Sequence, residues 1–171
     1  ILVQQKAETL VSRFHELFNS VKEMQKEINT NLEMQIGNLN NLLKDLANLN
    51  SEIKRIEATG QKANDLKDKR DKIVNEISKF IPITFKETDS FYLYYNGKIL
   101  VQNDLYHGFE LKESGTEGMY DIYFQNEKVI ANSGSLMGLI TSRDKVLGGF
   151  LEKLNQLALS TMESVNAIHQ Q

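Results

Sequence analysis

LVSRFHELFNSVKEMQKEINTNLEMQIGNLNNLLKDLANLNSEIKRI, residues 10–56, is the stretch whose reading decides the fold. Apolar residues recur along it in steps of three and four: Leu10, Phe14, Leu17, Val21, Met24, Ile28, Leu32, Ile36, Leu39, Leu43, Leu46, Leu49, Ile53 and Ile56. An average step near 3.5 residues keeps one helix face turned toward a partner helix. Consecutive steps of four around Ile28 to Ile36 locally unwind such a seam before it resumes. No proline interrupts the stretch, and Gly37 is its only glycine. At roughly 1.5 Å per residue, a helix from about Gln5 to Glu57 would be on the order of 80 Å long. Its apolar stripe must be covered by other helices of this chain or by other molecules.

Working outward, Ala58-Thr59-Gly60 stops the helix, because glycine supplies the left-handed residue that follows many helix ends. Asn64 reads as the N-cap of a second helix, with Asp65 and Asp68 near the positive end of its dipole. Leu66, Ile73, Ile77 and Phe80 form its apolar face, and Pro82 ends it by removing a backbone donor. The short connection predicts that the two helices pack antiparallel.

From Ile83 to Ala131 the pattern changes to strands. Phe91, Leu93 and Tyr95 alternate toward one face, Asn96-Gly97 signals a type I′ hairpin, and Ile99 and Val101 lie on the returning strand. Further strands are expected at Tyr106 to Glu113 and Met119 to Gln125, with Asn126-Glu127 turning into Lys128 to Ala131. Of the 14 Phe and Tyr residues, 11 fall between Phe80 and Phe124, which suits a thin meander whose core relies on large rings.

Ser133, Gly134 and Ser135 open a third helical region, where Leu147, Leu151, Leu154, Ala158, Thr161, Val165 and Ile168 again step by four and three. The fold class is therefore α+β: an elongated helical bundle or coiled coil with a long N-terminal helix, and a small antiparallel β meander between the second and third helices. The expected division is 1–81 for the first two helices, 82–131 for the β excursion, and 132–171 for a third helical region packing back on the bundle.

Composition narrows the function. The 171 residues carry 20 Lys plus Arg against 23 Asp plus Glu, a formal charge of -3, with the signs interspersed. Nucleic-acid binding and polybasic membrane attachment both need clustered positive charge, so neither is expected. No segment has the apolar length a bilayer needs. Gln4, Gln5, Lys6 and Glu8 do not fit a signal peptide. There is no cysteine, which removes thiolate and disulfide chemistry. The chain begins within a helical pattern without an initiator methionine and reads as a fragment of a longer protein.

Two motif groups go beyond periodicity. The first is Gly60, Ala63-Asn64-Asp65-Leu66, Asp68 and Arg70-Asp71. The second is Ser133-Gly134-Ser135-Leu136-Met137-Gly138-Leu139, Arg143-Asp144, Leu147, Leu154, Leu157-Ala158, Val165-Asn166 and His169. Together they resemble the family of flagellar hook-associated proteins that join hook to filament, and the chain would be a central fragment of such a protein. The resemblance implies a structural, non-enzymatic subunit with no cofactor. It implies export through the flagellar type III apparatus, a transient cytoplasmic stage, and polymerisation outside the cell. The implied partners are other copies, the hook protein, the neighbouring hook-associated protein, and an export chaperone acting through regions beyond this chain. In the family a C-terminal helix returns to pack on the long one, so an apolar groove is expected here. The alternatives are another axial protein, such as the third hook-associated protein or a flagellin, and a coiled-coil sensory or adaptor module with a ligand pocket among its strands.

Arg70-Asp71 and Arg143-Asp144 recur in similar contexts, Arg-Asp-Lys-Ile-Val and Arg-Asp-Lys-Val-Leu. Each arginine could clamp a carboxylate of another subunit or bridge helices within the chain. Asp68 and Asp71 have a spacing usable for acid–base or metal chemistry, but Lys67, Lys69, Arg70 and Lys72 make a solvated, salt-bridged helix the plainer account. His15, His107 and His169 have no second ligand at helical spacing; His169 is expected to close a helix end. Gln25, Asn29, Asn31, Gln35, Asn38, Asn40, Asn41, Asn48 and Asn50 are expected to form a polar outer surface on the long helix. Gly37, Gly138, Gly148 and Gly149 imply either close backbone approach or a kink.

Overall fold

A computed structural model describes residues 2–116, 118–130 and 133–169. The elements run α1 (Leu2–Glu57), α2 (Asn64–Phe80), β1 (Thr84–Glu87), β2 (Phe91–Tyr95), β3 (Lys98–Gln102), β4 (Leu105–Tyr106), β5 (Phe109–Glu113), β6 (Tyr120–Phe124), β7 (Glu127–Lys128), α3 (Ser135–Ile140), a π-helical segment (Thr141–Leu147) and α4 (Gly148–His169). The fold is α+β, with a long N-terminal helix and antiparallel strands between α2 and α3. The chain forms two compact units, residues 30–139 and residues 1–29 with 140–171, which cut across a division by element type.

In the larger unit, α1 buries Leu32, Ile36, Leu39, Leu43, Leu46, Ala47 and Ile53. Leu43 and Leu46 meet a core completed by Ile77, Ile81, Leu93, Leu100, Val101 and Leu136, all fully buried. Each such aliphatic side chain contributes roughly 1.5–3 kcal/mol on leaving water. The strands form two antiparallel sheets, ordered β1-β2-β3-β4 and β5-β6-β7. Phe91, Leu93 and Tyr95 are buried on one face of β2, in the expected alternation. Asn96 and Gly97 have φ of 47° and 76° between the paired residues Tyr95 and Lys98, as a type I′ turn requires.

Several details differ from the sequence expectations. The strand expected over Tyr106 to Glu113 breaks at His107-Gly108, where the chain leaves one sheet for the other. The turn expected at Asn126-Glu127 is Gln125-Asn126, both at positive φ (49° and 65°), with Phe124 paired to Glu127. Asn64 is the first helical residue of α2 rather than its cap; Ala63 holds the cap position with no side-chain cap bond. That position is buried, at 5% exposure, so a small apolar residue is needed there. Pro82 does follow the helix end, and Ile81 before it is extended.

In the smaller unit, α1 and α4 bury Val21, Leu151 and Leu154 together with Gln25, Asn29 and Arg143. Leu10, Leu17 and Met24, expected on the buried stripe, are 41%, 48% and 49% exposed. Val21, Leu32 and Ile36 are buried as expected, but Gln25, Asn29 and Asn50 take the buried places expected for Met24, Ile28 and Leu49. Choosing the apolar residue at each step placed the stripe one residue early where the true face is polar. The third helical region is likewise not one α-helix, because a π segment separates α3 from α4.

Candidate interaction site

The first Arg-Asp pair sits in the larger unit. Arg70 projects from α2 and is 4% exposed. Its guanidinium stacks 4.6 Å from the centroid of the Phe91 ring, and Nη2 donates to Glu87 Oε2 at 2.6 Å. Asp71 is the more distant carboxylate, at 4.0 Å from Nε, and is largely exposed. The pair therefore ties α2 to the edge strand β1 and to β2. A buried arginine needs such a partner, since removing one member of a buried pair leaves an uncompensated charge. Arg70 also lines a recess of about 300 Å³ with Asn50, Lys54, Glu57, Asp89 and Asn103. Within it Arg70 Nε and Asn50 Oδ1 have no hydrogen-bond partner among the described residues.

The second pair sits in the smaller unit. Arg143 lies in the π segment with its side chain 4% exposed. It donates from Nε and Nη2 to the two carboxylate oxygens of Asp144, at 2.6 and 3.1 Å, and from Nη1 to Asn29 Oδ1 at 2.8 Å. Its carbonyl accepts from Gln25 Nε2 at 2.9 Å. Gln25 and Asn29, one helical turn apart on α1, thus bind the π segment and do not form an outer surface. Asn40 and Asn50 are also inward. Asn40 Nδ2 donates to Phe109 O at 2.9 Å and its Oδ1 accepts from Phe109 N at 2.8 Å. Asn50 Nδ2 donates to Asn103 O at 3.0 Å. Asn38, Asn41 and Asn48 do remain exposed.

The other motif residues fall as follows. Asp65 lies in the first turn of α2, and Leu66 is half-buried. Gly134, at φ +90°, passes so close to α2 that a β-carbon there would lie 2.2 Å from Phe80 O. Ser133 and Ser135 are exposed, and Ser135 Oγ donates to Gln35 Oε1 at 2.7 Å. Leu136 is fully buried and Leu139 half-buried. Gly37, Gly138 and Gly149 have open space around them, so close backbone approach does not explain these glycines. His169 ends α4, and its side chain lies outside the described residues. Sequence reasoning missed Glu87, Phe91, Asn103 and Phe109 as partners. It placed Gln25, Asn29 and Asn50 outside, although their spacing on the three-and-four pattern was the available signal.

The smaller unit also leaves apolar surface open. A cleft of about 310 Å³ is lined by Leu10, Val11 and Phe14 of α1 and by Ala158, Met162 and Val165 of α4, with His15 and Asn166 at its polar margin. Among the described residues no group of three or more His, Cys, Asp or Glu could hold a metal ion. No helix among them is long and apolar enough to cross a membrane. Among the described residues, two groups are shifted from their ordinary values by their surroundings. Burial raises Tyr95, only partly opposed by the Asn96 side chain, and no well-formed hydrogen bond to the hydroxyl occurs among the described residues. The hydrogen bond from exposed Lys26 to Glu23, together with the Glu23 charge, raises Lys26.

This geometry is that of a packing module, and comparison with known proteins agrees. A family model described as the flagellar hook-associated protein FlgK helical domain matches residues 2–171. Flagellar hook-associated protein 1 of Salmonella typhimurium is 32% identical over 178 residues, covering 96% of this chain and 32% of that protein. The protein of the same name from Escherichia coli is 29% identical over 182 residues, with the same coverage of 96% and 32%. The structure of the flagellar hook junction protein FlgK from Burkholderia pseudomallei superposes with a TM-score of 0.71 at 18% identity, over 84% of this chain and 28% of that one. The chain spans about a third of the length of the relatives it matches.

Proposed function

The chain belongs to the FlgK helical-domain family of flagellar hook-associated proteins, and from that premise we propose that it is the helical portion of a non-catalytic subunit joining the hook to the filament. The observation that carries the reading is the family match over residues 2–171, which includes both Arg-Asp motif groups. Its working surfaces are helix faces and strand edges. The cleft between α1 and α4 is the seat of a further helix from the parent protein, because Leu10, Val11 and Met162, exposed together beside half-buried Phe14, favour a covering apolar face. Lateral contacts join copies to one another, and axial contacts join them to the hook protein and the next hook-associated protein. Export through the flagellar type III apparatus places the subunit outside the cell, and an export chaperone binds regions beyond this chain.

In this reading Arg70-Asp71 and Arg143-Asp144 are structural. Each arginine holds a helix against its neighbours so that the outer faces are presented rigidly. Deleting the parent gene should leave hooks without filaments by electron microscopy, with motility restored by the intact gene. Normal filaments after the deletion would sink the proposal.

A further inference from the structure

The helical region that opens at Ser135 leaves α geometry at Thr141, stays π-helical to Leu147, and resumes as α4 at Gly148. A π-helix closes each backbone bond one residue later than an α-helix and is rare beyond a single turn, so a run of seven residues needs something to hold it. Arg143 supplies that hold. Its bonds to Asn29 and Asp144, and the bond from Gln25 to its carbonyl, fix the middle of the run against α1. Gly148 and Gly149 follow directly, and glycines resist a change of helical form least.

Rewinding the run to α geometry would turn α4 by about one residue position, roughly 100°. Each residue of α4 would then take the place of the one after it: Phe150 that of Leu151, Lys153 that of Leu154, Leu157 that of Ala158. Leu151 and Leu154 are now buried, whereas Val146, Phe150 and Leu157 are 62%, 46% and 57% exposed. Those three lie four and seven residues apart, an apolar stripe displaced by one residue from the buried one. The turn would carry Lys153 to the place of Leu154, at the rim of the buried face, where its apolar stem can lie with the ammonium still in water.

We infer that the π segment is a two-position device: Arg143 holds it wound with Leu151 and Leu154 inward, and release of Arg143 turns α4 so that Phe150 and Leu157 point inward. The turn exchanges the apolar face α4 offers to a neighbour.

Single cysteines in this cysteine-free chain report the position by thiol-labelling rate. In the parent chain Phe150→Cys labels at least tenfold faster than Leu151→Cys. In an Arg143→Ala background that order reverses by a similar factor. Because Arg143→Ala could simply loosen α4, a second background adds deletion of Val146, which removes the extra residue of the run. The parental order of rates returns there, with helical circular dichroism retained. Parental rates in Arg143→Ala overturn the inference, and so does fast labelling of both positions that the deletion does not reverse.

Discussion

Gly134 sits at φ +90° with the Phe80 carbonyl oxygen where a β-carbon would project. Side chains are strained at that φ, and here the neighbour is backbone that cannot swing away. Gly134→Ala is therefore expected to destabilise by about 3 kcal/mol, read as a drop in the urea midpoint, whereas Gly138→Ala, in open space, should be neutral or stabilising. Tyr95 makes a second residue-level test. Its folded ionisation is raised above the ordinary 10.0 by burial, so above that pH the unfolded chain releases a proton the folded chain keeps. The stability Tyr95 contributes is thus present below pH 10.0 and lost as pH rises through it. Tyr95→Phe should flatten the fall in unfolding free energy between about pH 9.5 and 11, and an unchanged slope would show that the phenol is not responsible. Gly134 was legible as a motif residue, but the buried Tyr95 hydroxyl was not, because alternation predicts the face of a ring and not what surrounds its oxygen.

Amide side chains tie α1 to the π segment, to β5 and to the turn between β3 and β4. Asn40 on α1 takes both the N–H and the C=O of Phe109, as a neighbouring strand would, and so anchors the start of β5. Asn40→Ala leaves both backbone groups unpaired in a part-buried setting. The expected cost is about 2 kcal/mol, with faster hydrogen exchange at the Phe109 amide than at Leu100 in the other sheet. Equal exchange at both would mean that the clamp does not anchor β5. Element type was readable from period and turn chemistry: the long helix, the Asn96-Gly97 hairpin and the stop before Pro82 all follow from neighbours in sequence. The π segment was not readable, because its cause is a contact between residues 29 and 143.

At the scale of the whole molecule, Leu10, Leu17 and Met24 form an exposed apolar row at seven-residue spacing on α1. A surface of this kind does little for the stability of the isolated chain and much for what covers it. Leu17→Glu should move the melting temperature of the 171-residue chain by less than about 2 °C, yet on the proposed function it should impair filament growth when placed in the full-length protein, scored by electron microscopy. Loss of folding in the chain itself would instead place Leu17 in its own core.

The amino-acid sequence alone determined the α+β class, the C-terminal ends of α1 and α2, the first hairpin and the family resemblance, since periodicity, turn conformation and motif spacing are written within a few residues. Tertiary structure decided which polar residues are inside. Arg70 meets Glu87 and Phe91, Arg143 meets Asn29, and Asn40 meets Phe109 only because distant helix and strand faces come together. A buried amide on a helix stripe looks like a solvated one until the group it satisfies is known, and that group is selected by the packing of the whole core.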